Sequence, residues 1–133
     1  MRNGYFTPEQ VNRLIPKLVD RLSFLLQLKQ RIIEQQGKLA EAQANSTLGA
    51  FCEEKRVLNK LVADFYAQVE EIEALGCIVK DVDQGLIDFP AIKFGEEVWL
   101  CWKSGEPRVL YWHTKDEGYN SRQPLLDDIN TLV

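Results

Sequence analysis

Forty residues, Gly85 to Pro124, hold nearly all the chemically distinctive side chains of this 133-residue chain. They include the three tryptophans (Trp99, Trp102, Trp112), the only histidine (His113), Cys101, Asp88, Glu106 and Arg122. Imidazole, thiolate and carboxylate are donors that first-row metals accept in mixed sets. His113 and Cys101 with Asp88 or Glu106 are therefore a candidate metal centre. No two of them stand at a diagnostic spacing, so the favoured expectation is no cofactor, with a metal as the alternative. His113 is also a candidate general base. With Cys101 it would make a nucleophile pair if an oxyanion-stabilising group lay nearby, and no motif marks one.

Each residue has a plainer reading. His113 is packed and hydrogen-bonded beside Trp112, to a carboxylate from Asp88 or Glu106 or to backbone. Cys101, between Leu100 and Trp102 in a strand, is a buried inert thiol. Asp81 and Asp88 cap turns around Gly85. Gly105-Glu106-Pro107 is a hairpin turn, and Arg122 clamps Asp88 or Glu106. The tryptophans form either a dimer contact or helix-docking core, or a recognition surface rimmed by His113, Asp88, Glu106 and Arg122.

The elements that must position these residues are helical first. Thr7-Pro8-Glu9-Gln10 starts a helix: Thr7 caps, Pro8 takes N1, and Gln10 completes a capping box with Phe6 and Val11 as its staple. Val11, Ile15, Leu18, Leu22, Leu25 and Ile32 form a heptad seam, widened by Leu14, Val19, Leu26, Leu28 and Ile33. Pro16 is expected to kink the helix or to need a partner for the carbonyl it frees near Asn12. Gln36-Gly37 is the expected C-cap, and residues 38–50 a helical start that frays into a connection. A second helix is expected over about 51–75, with Phe51, Leu58, Leu61, Val62, Phe65, Val69 and Ile72 as its stripe and Gly76 as its stop. A first helix of nearly 30 residues would be about 45 Å long, against a radius of gyration near ~14 Å for a compact domain of this size. The hairpin must therefore project. Its broad stripe predicts a homodimer through the helices, two hairpins making a four-helix bundle.

After Gly76 the period changes. Residues 77–80 read as a strand and 86–89 as an extended run stopped by Pro90, with a loop over 91–96. Residues 98–103 and 108–113 flank a four-residue hairpin connection. Two registers are open there. One sets Lys103 against Arg108 and Trp99 against Trp112. A one-residue slip sets Cys101 against Tyr111 and Trp99 against His113. Leu125, Leu126, Ile129 and Leu132 predict a short C-terminal helix. The fold class is α+β: a long N-terminal antiparallel helical hairpin, a small C-terminal antiparallel β-sheet and that short helix. It is expected as a single domain, 1–76 being the hairpin and 77–133 a β-rich subdomain.

An apolar fraction of 45% excludes disorder, and no apolar run reaches the length of a membrane span. The start of the chain lacks signal-peptide chemistry, so the cytoplasm, with reduced cysteines, is expected. Residues 1–36 carry six basic and three acidic side chains, residues 37–76 four and seven, and residues 77–133 six and ten. The first two segments complement each other as neighbouring helices, and the acidic remainder disfavours nucleic acid.

The opening Phe6-Thr7-Pro8-Glu9 with Leu14-Ile15-Pro16, the run Gly85-Leu86-Ile87-Asp88-Phe89-Pro90, and Leu100-Cys101-Trp102 with Gly105-Glu106-Pro107 form one ordered set. Trp112-His113, Gly118 and Arg122-Gln123-Pro124 complete it. In this order the blocks resemble the bacterial family catalogued as domain of unknown function 2203. The resemblance implies a small bacterial protein with a helical N-terminal half and supplies no catalytic residues. The residues themselves favour a homodimeric interaction or adaptor module, with an unidentified protein partner at the tryptophan-rich region. The alternative is a metal-dependent or acid–base enzyme centred on His113.

Overall fold

A computed structural model describes residues 4–125. Two long helices, α1 (Pro8–Asn45) and α2 (Leu48–Glu73), pack against each other and precede five antiparallel strands. These are β1 (Ile78–Asp81), β2 (Leu86–Lys93), β3 (Glu96–Lys103), β4 (Tyr111–Thr114) and β5 (Gln123–Pro124), in spatial order β1-β2-β3-β4-β5. The architecture is the expected α+β one. The proposed C-terminal helix falls largely on residues 126–133, outside the described residues. Among the described residues no helix is long and apolar enough to cross a membrane.

The N-terminal capping box forms as the sequence indicates. The Thr7 hydroxyl accepts from the Gln10 N–H at 3.2 Å, and the Gln10 side chain accepts from the Thr7 N–H at 3.0 Å. The expected stop at Gln36-Gly37 is overturned: α1 continues through it to Asn45. Gly37 costs about 1 kcal/mol in a helix interior, and the alanine-rich run that follows is strongly helix-forming. Contacts with α2 add to it. Gln35 is buried and its amide donates to the Glu54 carbonyl and side chain, while Ala42 is also buried. The connection shrinks to Ser46-Thr47, and α2 starts three residues earlier than expected, with Thr47 as its cap. The helix also continues through Pro16, which sits at an exposed position.

The heptad seam is covered differently from the expectation. Val11, Ile15, Leu18, Leu22 and Leu25 join one core with Ile72 of α2 and with Ile87, Phe89, Ala91, Val98, Leu100 and Trp102 of the sheet. The chain's own sheet thus buries the base of the stripe, where a second hairpin was expected to do so.

Strand β2 does not stop at Pro90. It pairs with β3 along its length, to Lys93 opposite Glu96. The Pro90 carbonyl accepts from the Phe6 N–H at 2.8 Å. In a strand the N–H and C=O of one residue face the same edge, so the missing N–H of Pro90 faces away from β3 and weakens no β2–β3 bond. The expected loop over 91–96 is a two-residue turn. Phe94 and Gly95 both have positive φ, 54° and 78°, as the common right-twisted hairpin turn requires.

The β3–β4 pairing takes the slipped register: Trp99 opposes His113 and Cys101 opposes Tyr111. The connection is also longer than four residues, because β4 begins only at Tyr111. Two bonds account for it. The Val109 N–H donates to Asn12 Oδ1 of α1 at 2.7 Å, drawing the chain away from β3, and Trp102 Nε1 donates to the Glu106 carbonyl at 3.0 Å.

Candidate functional site

Side chains alternate across a sheet, so the register assigns each residue to a face. Ile87, Phe89, Ala91, Val98, Leu100 and Trp102 face the helices. Asp88 opposes Cys101 directly, and Cys101 is two residues from Trp99, the partner of His113. Asp88, Cys101 and His113 therefore project from three adjacent strands onto the opposite face. All three are about 2% exposed. The segment after β4 walls this face: Glu117, Gly118 and Tyr119, with Lys80 and Leu86, line a cleft of about 110 Å³ beside the three residues.

The hydrogen bonds of His113 fix its tautomer. Nδ1 lies 2.9 Å from the Thr114 carbonyl oxygen. A carbonyl only accepts, so Nδ1 carries hydrogen. Nε2 lies 3.1 Å from Asp88 Oδ2. Two lone pairs cannot face each other at that distance, so one proton, or another cation, lies between imidazole and carboxylate. The second oxygen of Asp88, Oδ1, is buried without a hydrogen-bond partner. A sulfur, a ring nitrogen and a carboxylate oxygen of these three residues all lie within 4.8 Å of one another.

Cys101 is buried, as its place between Leu100 and Trp102 predicts. Burial, and then the nearby Asp88 carboxylate, push its thiol up to about 12, leaving almost no thiolate at neutral pH. Both nitrogens of His113 are already engaged, so the imidazole is not free to take the proton of the thiol.

The remaining candidates occupy other places. Arg122 clamps Glu106, not Asp88: Nη2 donates to both Glu106 oxygens at 2.7 and 2.6 Å and to the Cys101 carbonyl at 3.1 Å. Its guanidinium lies 4.1 Å from the Tyr111 ring centroid and 4.7 Å from that of Tyr119. Glu106 also accepts from the Lys103 N–H, so it serves the turn as expected. Asp81 caps its turn through the Gln84 N–H. Asp88 caps none, since it lies within β2. The tryptophans do not share one surface. Trp102 is fully buried in the core, and Trp112 packs partly against the same core. Trp99 alone lies on the outer face, half-buried, with Lys115 Nζ 3.5 Å and Lys80 Nζ 5.5 Å from its ring centroid.

Sequence reading named Asp88, Cys101 and His113 but missed Lys80, Glu117 and Tyr119 as walls of the cleft. No spacing marks them, because Glu117 and Tyr119 come from the segment after β4 and Lys80 stands at the irregularity in the β1–β2 pairing. A family model described as "Uncharacterized conserved protein (DUF2203)" matches residues 4–125, in agreement with the resemblance drawn from the motif blocks. No curated protein and no solved structure matches the chain.

Proposed function

The chain belongs to the DUF2203 family, and we propose that it is a metal-dependent protein whose ion is held by Asp88, Cys101 and His113. One observation carries this reading: three different metal-ligating side chains, all buried, converge within 4.8 Å on one face of the sheet. Three further features of the cluster support a cation there. A buried carboxylate oxygen is left without a partner, a thiol is placed beside that carboxylate, and the imidazole is oriented through its far nitrogen by a backbone carbonyl. Such a carbonyl is the usual orienting partner of a metal-bound histidine. Tetrahedral bond lengths of about 2.0–2.3 Å put ligand atoms roughly 3.3–3.7 Å apart. The donors need shifts of no more than about an ångström to reach that spacing. The mixed sulfur, nitrogen and oxygen set suits zinc or a similar transition ion and not magnesium or calcium.

The test is titration of chelator-treated protein with zinc and with cobalt. One equivalent is expected to bind, with a sulfur-to-cobalt absorption band that is absent in Cys101→Ser and lost with the cobalt site in His113→Gln. A folded wild-type protein that binds neither ion would sink the reading.

A second reading concerns the helices. Val19, Leu26 and Ile33 stand seven residues apart on α1 and are 45%, 43% and 50% exposed. That spacing keeps them on one line of the helix. The line supports a homodimer in which a second copy lies along α1, outside the seam already buried by the sheet.

A further inference from the structure

We infer that the fourth coordination position of this centre is open and that it accepts a small monoanion facing the ammonium group of Lys80. The inference rests on the metal reading above. Asp88 and Cys101 oppose each other, and His113 follows on the next strand, all from one face of the sheet. An ion held by three donors rising from one face directs its remaining tetrahedral position away from that face. The cleft of about 110 Å³ lies beside the same three residues and is walled beyond them by Lys80, Leu86, Glu117, Gly118 and Tyr119.

A closed structural site would need a fourth protein ligand. Among the described residues the ligand cluster holds only these three. Glu117 lines the cleft, but its carboxylate accepts from the Thr114 hydroxyl at 3.0 Å and lies outside the cluster. Among the described residues nothing else reaches the position, which leaves it to a solvent molecule or an external ligand.

Size and charge define that ligand. The cleft is far smaller than the roughly 300–1,000 Å³ of sites for drug-sized molecules, so the part of a ligand that reaches the ion is a group of a few atoms. A divalent ion with one thiolate, one carboxylate and one neutral imidazole has no net charge. Selection by sign then falls to the walls. Lys80 supplies an ammonium with no ion pair among the described residues, steadied only by the Trp99 ring. Glu117 supplies the opposing charge. A molecule with one carboxylate or similar monoanionic group can place an oxygen on the ion and its charge toward Lys80.

The experiment uses the full chain loaded with cobalt and titrated with sodium acetate at constant ionic strength, following the visible cobalt bands. A saturable millimolar response is expected. Lys80→Met should weaken it about tenfold and Glu117→Gln should strengthen it, since each removes one unit charge from the wall. Cobalt bands that ignore acetate up to about 100 mM would overturn the open position. Equal affinities in wild type, Lys80→Met and Glu117→Gln would overturn the assignment of charge selection to the walls. If cobalt does not bind the folded wild type, the metal reading fails first and this inference falls with it.

Discussion

His113 Nε2 and Asp88 Oδ2 lie 3.1 Å apart in a setting where both side chains are almost fully buried and the other nitrogen of His113 is committed to a carbonyl. This one relationship determines what either residue can do. The pair must share a proton or a cation, and the two options exclude each other. Metal uptake therefore displaces that proton and also the proton of Cys101. The same geometry sets the response to substitution.

Asp88→Asn is expected to preserve the fold and abolish metal uptake. The asparagine amide can donate to the Nε2 lone pair of the tautomer that Thr114 imposes, so the buried hydrogen bond survives without the anionic ligand. Asp88→Ala leaves His113 unpaired and should cost about 3–5 kcal/mol, as breaking a buried pair does. Urea unfolding of metal-free protein compares the two. Equal losses for Asn and Ala would show that the tautomer assignment is wrong.

Alkaline pH should destabilise the metal-free protein more steeply than the loss of hydrogen bonds explains. Burial pushes both Cys77 and Cys101 up to about 12, well above the ordinary thiol value. A folded value raised above the unfolded one contributes stability that is full below about pH 8.5 and is lost as pH rises toward 12. Each thiol should cost about 1.4 kcal/mol per pH unit within that window. Urea midpoints at about pH 7.5, 9 and 10 measure the slope, and Cys77→Ala should roughly halve it. A flat profile over this range would contradict the burial of both thiols.

How far the sequence reveals this molecule depends on which signals are local. The capping box at Thr7 and the change of period after Gly76 are short-range, and both elements form where they indicate. Gly37 and Pro90 look like stops because each is a breaker in isolation. Contacts far along the chain override them: Gln35 and Ala42 against α2, and Phe6 against the Pro90 edge. The β3–β4 register was open between two choices because the turn residues admit both. The bond from Val109 to Asn12, 97 residues away, contributes to the outcome and is invisible to any local pattern. Residue type alone marks Asp88, Cys101 and His113 as candidates, but their convergence depends on the register.

Arg122 is expected to hold the last described segment against the sheet. Its side chain is 10% exposed and that of Glu106 17%, so the pair lies in a partly dry environment. Arg122→Met removes the charge opposite Glu106 and the bond to the Cys101 carbonyl, and should cost about 3 kcal/mol. Arg122→Lys keeps the charge but loses the guanidinium plane against Tyr111 and Tyr119, so it should recover less than half of that loss. Urea unfolding distinguishes the three proteins. Full recovery by lysine would mean that charge alone matters here.

The proposed dimer is tested on the exposed line of α1 and not on its seam. Leu22 and Leu25 belong to the core shared with the sheet, so charging them would unfold the chain and say nothing about association. Leu26→Glu together with Ile33→Glu changes two side chains that are 43% and 50% exposed. Surface changes of this kind usually stay within about 0.5 kcal/mol each, so the melting temperature of the monomer unit should barely move. Burying a leucine or isoleucine is worth about 1.5–3 kcal/mol, and each contributes twice in a symmetric interface. The double variant should therefore be monomeric where the wild type is dimeric, as read by light scattering across micromolar concentrations. A wild-type monomer at tens of micromolar would remove the dimer. A dimer that persists in the double variant would move the interface off this line.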